Sequence, residues 1–370
     1  MMYAGHARSY QKADSFNEFT VLFTGGNLLV GGKRYPLGQI TADVLNMDQQ
    51  AIIDLTIESA KFAAYAKRKL LNPQEKKSPA AFSAVEEKLG RVLDMIAAMP
   101  LYRDLKTDWN MTRRFLSIMY EHHPEVVKPL FTPGSQESLL AEEWFEQFAR
   151  IGFELSTFWT YVRMMMEVYF EPLTKRSAEA YAVGLYHFWS DTELLNRISQ
   201  ELPQSPAFRF RQTAQVELEY VPMPDPEDKM HYLIAERVVF SSIGEFLQAE
   251  FYRALQQGNA PRRCHNCGRY FLLTAGYNTC YCNDIAPGET ERTCRKVGAH
   301  KKAATKAKSP AQVEYQRVYN RLKQQRHRGK ISTDEWNAMV AQAMDVKGQA
   351  ERGELSDEEM RVVFEGMGRG

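Results

Sequence analysis

Five cysteines lie between positions 264 and 294 of this 370-residue chain, and none lies elsewhere. An odd, clustered set behind an N-terminus with no apolar leader segment points to metal binding over disulfide formation. Cys264-His265-Asn266-Cys267-Gly268 has the outline of a metal knuckle. Two residues between thiolates let one tight turn aim both sulfurs at a single ion, and a following glycine tolerates left-handed backbone. Tyr270 to Leu273 reads as a strand, Gly276 as its turn and Asn278 to Cys282 as the returning strand. Cys294 opens a helix expected to reach Lys308, and the positive end of a helix favours a thiolate. The expected ligands are Cys264, Cys267, Cys282 and Cys294, with Cys280 as the alternative third ligand. Cysteines two apart share one face of a strand, and a tetrahedral site has only four places. Four thiolates also leave no place for water, so the expected cofactor is a structural Zn(2+). His300 in place of one cysteine would leave the site structural as well.

A basic stretch follows. The whole chain has a net charge of +1, yet Arg295 to Lys330 holds twelve Lys and Arg against the single acid Glu314. The remainder is therefore net acidic by about ten charges, a split that suits a segment neutralising phosphates. Arg269, Arg295, Lys296, Lys301, Lys302, Lys306, Lys308, Arg317 and Arg321 are the candidate nucleic-acid contacts. Tyr315 and Tyr319, four apart, can stack on bases or pack on the domain. The competing reading is a solvated helix whose charges pair with the acidic remainder or with an acidic protein.

These motifs carry a resemblance. Cys264-x2-Cys267-Gly-Arg-Tyr-Phe, Tyr281-Cys282 and Thr293-Cys294-Arg-Lys before a basic helix resemble a treble-clef finger, similar to the CGNR-type zinc fingers of bacterial proteins. A group of uncharacterised bacterial proteins with Cys-x2-Cys-Gly-basic-Tyr-Phe and Thr-Cys-basic motifs is closer still. The resemblance covers about 230–330. It departs from the CGNR pattern in the eleven residues between Cys282 and Cys294, and in Cys294-Arg-Lys-Val where that family has Cys-Gly-Asn-Arg. It implies a DNA-binding regulator, in the manner of transcriptional or mobile-element and defence-associated factors, with DNA a better expectation than RNA.

The elements that must position this site are mostly helical. Residues 17–37 read as a small hairpin broken by Gly25-Gly26 and Gly31-Gly32. These glycines are not a phosphate loop: the spacing from Gly26 to Gly32 is one residue too long, and Arg34 stands where Ser or Thr should bind magnesium. From about 48 to 200 apolar residues recur at threes and fours, punctuated by Pro100, Pro124, Pro129, Pro133 and Pro172. Met164-Met165-Met166 reads as core. Residues 208–221 alternate as strand, Pro222, Pro224 and Pro226 read as a turn, and one long helix is expected over 229–257. Gly329 to Trp336 resembles Gly353 to Met360, each with a Ser-x-x-Glu capping box.

The expected fold class is α+β, mainly α. The segments are an N-terminal hairpin region (1–45), a mainly helical domain (46–262), the finger with its basic helix (263–308) and C-terminal helices (309–370). No segment has the length and apolarity of a membrane helix, so a cytoplasmic protein without membrane partners is expected. No GxSxG, HExxH, P-loop or GxGxxG motif survives inspection, and His122-His123 reads as a helix end, so an enzyme is the weaker expectation. The alternatives are a protein-interaction module on a zinc-stiffened platform, with a protein partner for the N-terminal domain, and an unsigned catalytic pocket within 50–225.

Overall fold

Short runs of β-branched and aromatic residues between glycine pairs start the chain as a three-stranded meander. The computed structural model describes residues 18–367, apart from 106, 124, 126–127, 130–131, 203–209, 211–215, 226–227, 229, 274–278 and 306–308 and the side chains of 119 and 301–305. It confirms the α+β, mainly helical class, in two compact units, Met1–Gly288 and Glu289–Gly370. None of its described helices is long and apolar enough to cross a membrane.

In the first unit β1 (Phe19–Thr24), β2 (Asn27–Val30) and β3 (Lys33–Pro36) join through two-residue turns at Gly25-Gly26 and Gly31-Gly32. This hairpin region does not stand alone. β4 (Glu217–Pro224) and β5 (Tyr232–Phe240) extend it into one antiparallel sheet of order β3-β2-β1-β5-β4, with Val21 opposite Val238 and Phe19 opposite Phe240.

Two expectations are corrected here. Residues 232–240 form a strand, and only Ile243–Gln256 is helix (α8). Ile234, Val238 and Val239 suit a pleated surface, and pairing with β1 and β4 on both sides overrides the helical period. Ser242, whose side chain accepts from the Glu245 amide, then starts the helix. β4 also runs through Pro222 and Pro224, which is tolerated because it is an edge strand whose outer side needs no donor. Residues 208–209 and 211–215 of the anticipated 208–221 strand lie outside the described residues.

The helices of this unit are α1 (Gln39–Leu45), α2 (Gln49–Ala66), α3 (Pro79–Ala97), α4 (Trp109–His122), α5 (Gln136–Met165), α6 (Ala178–Ser190), α7 (Thr192–Glu201) and α8. Ser78, Ser135 and Ser177 cap α3, α5 and α6 through their hydroxyls. α2 and α5 form the centre. Phe62 meets Phe148 edge to face at 5.4 Å, and Thr56 Oγ1 donates to the Gly152 carbonyl at 3.0 Å. A side chain at Gly152 would place its Cβ 2.6 Å from the Thr56 Cα. Met165 and Met166 are buried in the core, as their run suggested.

Two carboxylates the sequence did not single out lie inside. Glu250 accepts from the Gly38 amide and from the Thr41 amide and hydroxyl, capping α1; Glu154 accepts from the Gly244 amide at 3.0 Å, capping α8. Burial is the largest influence on each and pushes both pKa values up to about 7, against the pull of these donors.

The second unit contains α9 (Cys294–Thr305), α10 (Pro310–His327), α11 (Thr333–Glu351) and α12 (Asp357–Gly366). Val318, Leu322, Ala343, Val346, Met360 and Phe364 make its core. Both capping boxes, Ser332 with Glu335 and Ser356 with Glu359, are formed.

Two outcomes follow. Gly152→Ala should lower stability by about 1–3 kcal/mol in urea unfolding, since the backbone clash outweighs the better helix propensity of alanine. A more stable variant would show that α2 and α5 are not so close. Glu154 and Glu250 have folded pKa values above the unfolded value of 4.5, so the folded state holds extra protons. Their stabilisation is full below pH 4.5 and is lost as pH rises through 7. Glu250→Gln should flatten that slope between pH 4.5 and 7 in unfolding titrations, and an unchanged slope would refute the assignment.

Candidate metal centre

The cluster of four cysteines is built on a knuckle with almost no regular structure of its own. Arg262–Arg263 (β6) and Tyr270–Phe271 (β7) pair antiparallel on either side of it. This corrects the expected hairpin: Tyr270 pairs back to Arg263, and residues 279–282 form no strand. The turn expected at Gly276 lies outside the described residues. The knuckle itself closes by Cys264 N–H to the Arg269 carbonyl and Gly268 N–H to the Cys264 carbonyl, both at 2.8 Å. Gly268 takes the left-handed φ of 76° that the turn needs. The His265 amide donates to the Cys280 carbonyl at 2.9 Å, bringing the later segment alongside.

The sulfurs of Cys264, Cys267, Cys282 and Cys294 all lie within 4.8 Å of one another. Ligands about 2.3 Å from a tetrahedral ion have edges of about 3.8 Å. The Cys267 and Cys282 sulfurs are 3.6 Å apart, which fits. Cys264, Cys282 and Cys294 are buried and Cys267 is half-buried. Cys280 is outside the cluster. The Cys282 amide points at the Cys264 sulfur at 3.4 Å. Burial is the largest influence on the Cys264 thiol and opposes its charge, but the amides of Cys267, Cys282 and Asn266 and the Cys267 side chain prevail and lower its pKa to about 7. Three buried thiols and one half-buried thiol with converging amides are a donor set suited to a metal ion.

This segment is joined to the first unit. The Asn46 side chain, at the end of α1, donates to the Tyr270 carbonyl at 2.8 Å and accepts from the Tyr270 amide at 2.7 Å, acting as a one-residue strand partner. The Tyr270 ring belongs to the main core. Periodicity could not reveal Asn46, since nothing in its neighbourhood marks it as different from any helix-end asparagine.

The candidate nucleic-acid residues divide. Arg269, Arg295 and Lys296 are exposed. Arg317 is exposed and pairs with Glu314 at 2.7 Å. Arg321 is turned inward, donating to the Phe364 and Met367 carbonyls at the end of α12, so it anchors the tail instead of facing a ligand. Tyr315 packs on the tail core, and Tyr319 meets Trp336 at 6.0 Å. Lys306 and Lys308, and the side chains of Lys301 and Lys302, lie outside the described residues.

A cavity of about 410 Å³ is lined by Ala182, Leu185, Tyr186, Trp189, Tyr252 and Gln256, with neither carboxylate nor histidine. The buried acids Glu154 and Glu250 serve as helix caps.

Residues 211–363 match the model of a family of unknown function (DUF6076), a span that includes the knuckle and most of the helical tail. No curated protein and no solved structure matches the chain.

Cys282→Ser should abolish stoichiometric metal in the purified protein, whereas Cys280→Ser should retain it; the reverse result would reassign the third ligand. Asn46→Ala, which strands the Tyr270 amide and carbonyl, should cost about 1–3 kcal/mol of stability.

Proposed function

We propose that this chain is a zinc-finger protein that binds nucleic acid, DNA in preference to RNA, through cations beside a structural zinc. The observation that carries the reading is the closed set of four sulfurs whose last member, Cys294, begins a helix with Arg295 and Lys296 exposed on its first turn. Tetrahedral sulfur ligation suits zinc, and it leaves no position for a reactive water. The metal ties the start of the basic helix to the knuckle and contributes folding free energy, about 10–16 kcal/mol for sites of this kind. The cations supply sequence-blind affinity for phosphates. The resemblance to bacterial treble-clef and CGNR-type fingers agrees with a cytoplasmic DNA-binding regulator.

A second reading has its own observation. Leu218, Tyr220, Tyr232 and Ile234 lie on one face of β4 and β5 by register and are exposed, Ile234 at 78% and Tyr232 at 71%. A bare apolar ribbon on an edge hairpin is a place where a protein partner of the N-terminal unit would bind. A partner retained after nuclease treatment of the purified complex favours this reading.

The purified full chain should carry one zinc per molecule. Its binding to a fluorescein-labelled DNA duplex should weaken steeply with salt and be lost on chelation. Arg295→Gln with Lys296→Gln should reduce the slope of log affinity against log salt by about 1.8, from about 0.9 per phosphate contact. Affinity indifferent to salt would sink the nucleic-acid reading.

A further inference from the structure

Arg269, on the knuckle, is grouped with two cations from distant parts of the same unit. Asp43 on α1 marks the grouping, because Arg103, Arg269 and Lys33 all lie within electrostatic reach of its carboxylate. Three contacts fix them there. The Asn46 clamp on Tyr270 holds the residue next to Arg269 against the end of α1. Gly31, at φ 58°, lets the β2–β3 turn press against the chain next to Arg103, where a Cβ would fall 1.8 Å from the Asp104 carbonyl oxygen. Lys33 then reaches Asp104 at 3.3 Å, and its ammonium lies 4.9 Å from the centre of the Tyr35 ring.

The acids here are held within the protein while the cations face out. Asp104 accepts from the Tyr35 hydroxyl and from Lys33. Asp43 is half-buried and accepts from the Gln39 side-chain Nε2 at 2.8 Å. Lys33, Arg103 and Arg269 are exposed, and neither arginine closes an ion pair among the described residues. Two exposed guanidiniums that share the half-buried Asp43 carboxylate at a distance and close no ion pair with it, on a rigid platform, are arranged to meet oxygens from outside. Their planar forks match phosphate.

We infer that Arg103 and Arg269, with the Asp104-bound Lys33 beside them, form a backbone-phosphate contact surface on the N-terminal unit, so that the nucleic-acid footprint reaches beyond the segment after Cys294. This rests on the nucleic-acid reading above. The contact is to phosphate and carries no sequence preference.

The test uses the zinc-loaded full chain and a fluorescein-labelled DNA duplex, with binding measured by anisotropy from about 50 to 200 mM salt. Arg103→Gln with Arg269→Gln should lower the salt slope by about 1.8 and weaken binding at low salt by tenfold or more. Arg103→Lys should restore most of the slope lost by Arg103→Gln, and Arg91→Gln, an exposed arginine paired with Glu87, should leave it unchanged. Thermal melting confirms that the exposed-site variants remain folded. If the wild type binds and the double variant keeps its full slope, this surface is refuted while the nucleic-acid reading stands. If the wild type does not bind DNA, both fall. Equal affinity for a polyglutamate peptide would overturn the assignment to phosphate.

Discussion

Two strands of two residues each cannot hold the cysteine segment together. β6 and β7 contribute a minimal ladder, and the segment around the cysteines has few apolar side chains to bury. The constraint on which the region depends is therefore the convergence of four sulfurs. Without an ion, Cys264, Cys282 and Cys294 would be buried thiols crowded against one another, with amides aimed at a sulfur that carries no full charge. With an ion, the same amides stabilise thiolate charge and the turn geometry is used. The arrangement is a donor set suited to a metal ion.

The second constraint is attachment. The knuckle does not stand apart from the first unit: Tyr270 belongs to the main core and its backbone is completed by Asn46. An amide side chain that supplies both a donor and an acceptor to one residue imitates a strand neighbour, fixing orientation as well as distance. The knuckle is thus oriented by α1, which is itself held by Glu250 through Gly38 and Thr41. The chain of dependence runs from a buried carboxylate to a helix end, to an asparagine, to the strand that follows the knuckle. A change in the protonation of Glu250 acts at the first link of this chain.

What the sequence made legible follows from locality. The four clustered cysteines, the Ser-x-x-Glu boxes and the turn glycines each act through neighbours a few residues away, so their spacing carries the information. The misreadings share the opposite cause. Residues 232–240 carry apolar positions compatible with a helix, and they are a strand because β1 and β4 lie on either side. Tyr270 pairs with Arg263 because the knuckle folds back on its own leading residues, whereas an apolar run such as Tyr270 to Leu273 suggests a forward hairpin. Arg321 looked like any cation in a basic run, and only the end of α12, more than forty residues later, gives it a partner.

Arg321 also bears on how the charge asymmetry should be understood. A net charge counts every cation equally, but a cation engaged with internal carbonyls or stacked on a ring has already spent much of its field. Arg321 is committed to the end of α12, Arg317 to Glu314, and Arg326 lies over Trp336 at 4.3 Å. The acidic remainder is uneven in the same sense, since Glu154 and Glu250 are internal and Asp104 is held by Tyr35 and Lys33. Phosphate affinity depends on cations whose forks still face water. By that measure Arg103, a residue from the nominally acidic part of the chain, is better placed than Arg321 from the basic run. The electrostatic surface is determined by which charges the fold leaves uncommitted, and a running count along the sequence cannot show that.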